Sequence, residues 1–465
     1  MNDLFREPLQ VANLGLDSFA HNLQSVGQPV QSIHWHPVAE GDPVVGWQLA
    51  QTLADERVNQ ANALALSRYL NANPVLIDIA PARDVIAELG SSRTLLHAGP
   101  PIEWSQMCGP MQGGLCGAVL LEGWAQTLDE AYALLASGAI QLAPNHHHHA
   151  VGPMAGIISP SMPVWVVEDT EHHHRTFSNL NEGLGKVLRF GANSPDVLER
   201  LAWLSRILAP TIREALQKTG PIELKPLIAQ ALHMGDECHN RNVAATGLLI
   251  KKLAPALAKC EHGAEVLAFM EKNDHFFLNL SMACCKAMLD AARDVPYSSM
   301  VVAMARNGVN FGIQLSGTGN AWFQAPANPV DGLFFPGYGL ADAAADLGDS
   351  AITETAGIGG FAMAASPAIV KFVGGTAQDA MRHSQAMHGI TLTQNPLFTL
   401  PNLNFLGSGS GIDARLVLDL DTLPIINTGI AHKKAGVGQI GAGITTAPKA
   451  CFMDGIQALY QTLTK

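Results

Sequence analysis

A chain of 465 residues is long enough for about two to four domains, each with a core of its own. An apolar share of 48% beside a charged share of 15% excludes a disordered polyelectrolyte. A formal net charge of −12 with no basic block argues against a phosphate-backbone-binding surface, which needs clustered Lys and Arg, so nucleic acid is not an expected partner. The seven cysteines show no C-x-x-C spacing, and no charged-then-apolar leader opens the chain; both point to a reducing, cytoplasmic setting. The most apolar long window, residues 357–377, contains Pro367 and Lys371, and no membrane span is expected.

Short apolar runs alternate with helical stretches at the start: a strand over 9–14, a helix over 17–26, a strand over 30–35, a helical stretch over 45–70 and a strand over 75–79. This order predicts a βαβ, parallel-sheet module, with Gly15 at its first strand-to-helix turn. Residues 99–101, Gly-Pro-Pro, mark a boundary, and 108–117, rich in Gly, Met and Cys, reads as a loop. Thr127 and Glu130 have capping-box spacing and start a helix to about residue 137. The internal histidines 146–149 cannot all face one site, so a surface or crevice role without metal is expected; His172–His174 reads as a solvated turn. The helical period dominates from 195 to 294. Beyond it the chain turns to short strands and glycine-rich loops, with strands over 301–305, 312–315, 368–373 and 423–427.

The densest polar stretch is His233 to Asn242. Helical spacing would put Asp236, His239 and Asn240 on one face and pair Glu237 with Arg241; a self-neutralised, Asp-capped helix start is the alternative. In 181–191 Glu182, Lys186 and Arg189 stand among three glycines, a pattern suited to clamping a phosphate or carboxylate. Arg306 and Asn307 close a strand, where pockets form in α/β folds. Residues 348–360 join acidic and hydroxyl groups to a glycine-rich loop, yet nothing beside Ser350 identifies a base or an oxyanion hole. The literal G-x-G-x-x-G at 436–441 is not a dinucleotide fingerprint, because Thr445, Thr446 and Pro448 interrupt any helix after it. Its amides, with His432, Lys433 and Lys434, suit an anion instead.

Taken in order, the stretches 13–19, 99–117, 145–159, 181–191, 234–242, 304–316, 348–361, 372–375 and 427–444 resemble one family along nearly the whole chain. It is the large-subunit family of the oxamate carbamoyltransferase type, AllG-like and found with FdrA-like partners in purine and allantoin degradation. The resemblance implies a subunit that helps convert oxalurate and phosphate into oxamate and carbamoyl phosphate, together with an FdrA-like subunit and a further small subunit. It also implies an N-terminal Rossmann-like domain, further α/β domains and a helical insertion, but no established catalytic residue.

The expected fold is α/β: a Rossmann-like parallel-sheet domain over 1–98, an α/β domain over 99–194, a helical domain over 195–296, and a C-terminal α+β domain over 297–465 packing on 99–194. A homo-oligomer is expected. Attack of phosphate on a carbamoyl carbon develops an oxyanion while an amide nitrogen leaves and takes a proton. Both substrates are small anions, which makes Lys186, Arg189, Arg306 and Lys433 the expected clamps, with Arg241 a lesser one and Asn307, Gly438 and Gly441 lining the site. His239 or His432 is the expected proton donor, with Asp236 and Glu237 orienting it. No cofactor is required by this chemistry, although Asp236, Glu237 and His239 could hold a divalent metal. The alternative is a non-catalytic scaffold or ligand-binding subunit of an FdrA-like transferase or ligase complex acting on another substrate.

Overall fold

A computed structural model describes residues 9–33, 37–183 and 185–464. The chain is of mixed α/β build, as expected, with several sheets and both parallel and antiparallel pairing.

The opening βαβ unit forms as its pattern demands: Val11–Leu14 pairs in parallel with Val30–Ile33, and helix Asp17–Ser25 connects them. The expected continuation of the second strand to Trp35 lies outside the described residues. The helical stretch breaks once, at Asp55. Asp42 caps helix Pro43–Ala54, and Asp55 ends it and caps Glu56–Asn71 through the Arg57 amide, because a carboxylate can satisfy the free N–H groups of a helix start.

The parallel sheet ends there, and this corrects the expected N-terminal module. The next strand, Pro74–Pro81, leaves it for a five-stranded sheet, where it sits between Pro163–Asp169 and Ile222–Glu223, antiparallel to both. His174–Asn179 and Ala150–Val151 complete that sheet. Most of Pro74–Pro81 is buried, and a strand buried on both faces needs a neighbour along each edge. Thr94–His97 pairs in parallel with Gln141–Pro144, so the sheets run across residues 98 and 194.

Residues 195–291 are mainly helical, as the period indicated, interrupted by strand Ile222–Glu223 and by the loop 234–242. Helix Leu278–Ala291 is the centre of this layer, with every residue but Asp290 buried. A helix buried on all sides must be packed on all sides. Its carbonyls take part too: the Thr176 hydroxyl donates to Ala283 O at 2.9 Å, tying the helix to the five-stranded sheet.

Two local expectations are overturned. Residues 109–121 form an α-helix, Gly109–Leu121, rather than a loop. Its glycines answer packing, since a Cβ on Gly113 would stand 2.3 Å from Gly191 O and one on Gly117 2.5 Å from Leu188 Cδ1. Residues 367–373 are not a strand but a 3-10 turn opened by Pro367 and a single helical turn, Val370–Val373, ended by Gly374 at φ 86°.

The C-terminal part holds two antiparallel sheets that frame the site. One orders Phe323–Pro326, Asn310–Leu315, Val301–Asn307 and Leu347–Gly348; the other orders Asp331–Phe334, Gln439–Thr446 and Ile425–Ala431. A hairpin of Thr391–Leu400 and Leu406–Ile412 and the closing helix Lys449–Leu463 complete it.

Candidate functional site

The polar stretch 234–242 is not the first turn of a helix. Helix Val243–Leu257 begins after it, and the chain approaches through positive φ at Gly235 (98°) and Cys238 (63°), so the i, i+3 and i, i+4 alignments do not hold. The carboxylates fold the loop instead. Asp236 Oδ2 accepts the Ala245 N–H at 2.9 Å, supplying the start of the helix from nine residues upstream, and its Oδ1 lies 3.5 Å from Arg241 Nε. Glu237 accepts the backbone N–H of His239 at 3.0 Å and that of Arg241. Ser281 Oγ donates to Cys238 O at 2.9 Å, pinning the loop to the buried helix.

That fold aims His239 inward. Its Nδ1 lies 2.8 Å from Glu354 Oε1, both side chains being buried. Glu354 Oε1 also accepts the Gly360 N–H at 2.8 Å, and Glu237 O accepts the Gly359 N–H at 2.8 Å. Gly359 must be glycine: at φ 60°, a Cβ there would stand 2.3 Å from Glu354 Oε1. Burial pushes the Glu237 carboxyl up to about 7, and the negative charge of Glu354 adds to the effect. The Asn427 side chain lies near enough to favour the charged form of Glu237, and it is buried with no other hydrogen-bond partner. Among the described residues twelve buried side-chain polar atoms lack a partner, and half belong to Asp236, Asn240, Asn242, Asn273 and Asn427. Buried polar atoms without partners are costly. Asp236, Asn240 and Asn242 bring three of these atoms into the 234–242 loop.

A second group adjoins it. Glu182, buried, accepts the N–H groups of Leu188 and Arg189, and the Arg189 guanidinium donates to Asn181 Oδ1 at 3.0 Å and Gly183 O at 2.9 Å. Arg189 thus closes the 181–191 loop and keeps only part of its donor set for a ligand. His275 stands in electrostatic range of both Arg189 and His239; desolvation, reinforced chiefly by the Arg189 charge, drives its pKa down to about 4. Lys186 is exposed on the rim of this loop.

Arg306 is spent internally. Its five N–H groups reach Asp346 Oδ1 and Oδ2, Gly348 O, Ser350 Oγ and Thr428 Oγ1 at 2.6–3.3 Å, and the side chain is fully buried. Asn307 turns the chain, accepting from the Val309 and Asn310 amides and donating to Pro100 O. Next to them Asp349 accepts from Gly99 N, Asn145 Nδ2 and Gly152 N; burial raises it to about 6 despite those donors. His146 is buried with Nε2 3.5 Å from Asp349, whereas His149 is exposed on Asp290. His172 and His173 lie in a turn, His173 exposed and His172 partly so, with His172 Nδ1 2.7 Å from the buried Asp169 carboxylate.

The remaining candidates stand apart from His239. His432 follows strand Ile425–Ala431, five residues from Asn427, or roughly 16 Å along an extended chain. Its Nδ1 accepts the Lys434 N–H at 2.9 Å. Lys433 is exposed, with Nζ donating to Ala341 O. Gly441 lies in a strand, not in an anion-cradling loop, and a Cβ there would meet Leu333 O at 2.4 Å. Gly438 (φ 110°) ends the turn between the two strands. This turn abuts the Arg189 loop, since Gly436 N donates to Phe190 O at 3.0 Å.

Sequence reasoning singled out the stretches that hold Glu354 and Asn427 but neither residue, and it passed over His275. The signal for Glu354 was a carboxylate followed by Gly357, Gly359 and Gly360, which allow close approach to it. Among the described residues no group of three or more His, Cys, Asp or Glu side chains is arranged to hold a metal ion, so Asp236, Glu237 and His239 do not converge as a ligand set. A cavity of about 650 Å³ lies elsewhere, between strand Asp331–Phe334 and the Gly374–Gly375 turn, and none of the candidate residues lines it. No described helix is long and apolar enough to cross a membrane.

Three comparisons bear on these residues. The chain is 45% identical over 461 residues to a protein of Escherichia coli K12 named uncharacterized protein YahG, covering 97% of each. It resembles the crystal structure of a conserved protein of unknown function from Enterococcus faecalis V583 with a TM-score of 0.86 and 46% identity, covering 88% of this chain and 98% of that one. Residues 140–350, which include Arg189, the 234–242 loop and Arg306, match the family model for the oxamate carbamoyltransferase subunit AllG. The Escherichia coli K12 protein of that name is 47% identical over 412 residues, covering 87% of this chain and 98% of its own length, and the chain therefore belongs to the AllG family of oxamate carbamoyltransferase subunits.

Proposed function

We propose that this chain is the subunit that carries the proton-transfer chemistry of an oxamate carbamoyltransferase-type enzyme, exchanging a carbamoyl group between oxalurate and phosphate. An FdrA-like subunit and a further small subunit are its proposed partners, and purine or allantoin degradation its setting. The observation that supports it best is the buried His239 side chain held against Glu354, beside loop residues whose buried polar atoms lack partners.

The chemistry is balanced by moving one proton. Hydrogen phosphate attacks the carbamoyl carbon and forms the C–O bond, and the C–N bond to the oxamate nitrogen breaks. That nitrogen keeps the electron pair and needs a proton, while the attacking phosphate oxygen must lose one. One imidazole within reach of both atoms can take the first proton and deliver the second. Arg241, only partly buried, and the donors of Arg189 left unused by its loop are the cations nearest this group, and unpartnered amides such as Asn427 suit the developing oxyanion.

A non-catalytic role is the second reading, and the internal use of every Arg306 donor favours it. The deciding assay is carbamoyl phosphate formation from oxalurate and phosphate, with this chain alone and with its partner subunits. Activity that needs this chain, is lost in His239→Asn and persists in His432→Asn is the expected result. Absence of activity in every combination would sink the transferase reading, and activity that survives His239→Asn would assign the chemistry to a partner.

A further inference from the structure

We infer that Glu354 is a positioning residue that holds His239 in the Nδ1–H tautomer, so that the Nε2 lone pair is the proton acceptor of the site. The inference rests on the proposed role of His239 for its functional meaning, but its structural content stands alone.

The tautomer follows from the carboxylate. Glu354 Oε1 already receives the Gly360 N–H at 2.8 Å, and a backbone amide can only donate. A carboxylate oxygen holds no hydrogen, so it faces His239 Nδ1, also 2.8 Å away, as an acceptor, and Nδ1 carries the hydrogen. The other oxygen, Oε2, turns away to the Thr353 hydroxyl at 2.9 Å. In a neutral imidazole a hydrogen on Nδ1 leaves Nε2 with its lone pair. Among the described residues Nε2 has no hydrogen-bond partner.

Three features hold the pair in register. Gly359 lets the carboxylate and the His239 side chain approach, because a Cβ there would stand 2.3 Å from Glu354 Oε1 and 3.1 Å from His239 Cβ. The Glu237 carboxylate accepts the His239 backbone N–H and fixes the residue's backbone. Glu354 sits in a short helix, Ile352–Thr355, whose residues are all buried, so it has little freedom to follow a moving ring. A buried carboxylate behind an imidazole fixes which nitrogen faces the substrate and stabilises the imidazolium that forms.

His239 is thus base first and acid second. The hydrogen phosphate O–H gives its proton to Nε2 as the C–O bond forms, the imidazolium is stabilised by Glu354, and the same proton passes to the departing oxamate nitrogen as the C–N bond breaks. No proton is gained from solvent or lost to it. The charged and titratable groups facing His239 are Glu237 from its own loop, Glu354 from the 352–355 helix, and His275 from the helical side, which in turn faces Arg189 of the 181–191 loop.

The test is nitrogen NMR of the full-length chain labelled in histidine, with His239 assigned by loss of its signals in His239→Asn. Above the imidazole pKa the expected spectrum shows a pyrrole-like, proton-bearing Nδ1 and a pyridine-like Nε2 in the wild type, and a mixed or inverted pattern in Glu354→Gln. A wild-type Nε2–H tautomer would overturn the inference, as would a Glu354→Gln spectrum with the wild-type pattern. Glu354→Asp, which keeps the charge but shortens the reach, covers the event that Glu354→Gln fails to fold and should also weaken the Nδ1–H preference. In the assembled enzyme Glu354→Gln should lower kcat by about 10²–10⁴-fold with KM nearly unchanged, and shift the acid limb of the kcat profile to lower pH. The expected tautomer in a chain inactive with every partner would refute the transferase reading and leave the positioning role intact; the wrong tautomer in an active enzyme would do the reverse.

Discussion

Replacing Arg306 separates an anion clamp from a structural cation. In Arg306→Met the Asp346 carboxylate, which faces the guanidinium through both oxygens at 2.6 and 3.0 Å, stays buried without its counter-charge. The acceptors Gly348 O and Ser350 Oγ each lose a donor as well. Removing one partner of a fully buried ion pair costs about 3–5 kcal/mol, most of it the isolated charge left behind. With a urea dependence of roughly 3 kcal/mol per molar or more for a chain this large, the midpoint should fall by on the order of 1 M. Adding Asp346→Asn removes the stranded charge while keeping an oxygen for the Leu347 N–H and the Thr428 hydroxyl, so the double variant should recover more than about 1 kcal/mol of the loss. Urea unfolding followed by circular dichroism, with substrate binding measured on the same samples, makes the comparison. A single variant of undiminished stability whose affinity for phosphate or oxalurate collapses would refute the reasoning and return Arg306 to the clamp role its place at a strand end had indicated.

Two further outcomes follow from the site. Burial raises the Glu237 carboxyl from 4.5 to about 7, so the folded chain holds this proton more tightly than the unfolded one. The resulting stability is present at low pH and is lost as pH rises from about 4.5 to 7, by about 3 kcal/mol; Glu237→Gln should flatten that segment of the stability profile, and an unchanged slope would count against the buried-acid account. Gly359→Ala places a Cβ 2.3 Å from Glu354 Oε1 at φ 60°, so it should cost about 1–3 kcal/mol and perturb the His239 imidazole signals, whereas Gly339→Ala, with no atom within 4 Å of the added carbon, should leave both unchanged.

What the sequence could show divides along the range of the interactions. Periodicity is local, and it found the opening βαβ unit, the capping box at Thr127 and Glu130, which forms in full, and the helical run from Pro195. It failed where composition imitates a loop. Gly109–Leu121 is helical because its glycines let Gly191 and Leu188 pack against its backbone, and helix propensity cannot foresee a distant neighbour that needs the space. Pro74–Pro81 failed similarly: its apolar run fits a parallel or an antiparallel strand, and its partner lies some ninety residues on, at Pro163–Asp169.

The same division explains the site. A charged residue in a motif can be read from sequence, but whether its charge is free depends on what folds around it. Arg306 and Lys433 look alike as cations beside glycines; one is buried with all its donors used, and the other reaches solvent past a single carbonyl. His239 and His432 diverge for the same reason. The Lys434 amide donates to Nδ1 of His432 from two residues away, so that nitrogen acts as an acceptor, while the Nδ1 of His239 faces the carboxylate of Glu354, more than a hundred residues distant. The proposed proton-transfer role therefore rests on His239, the histidine whose partner no local pattern could name.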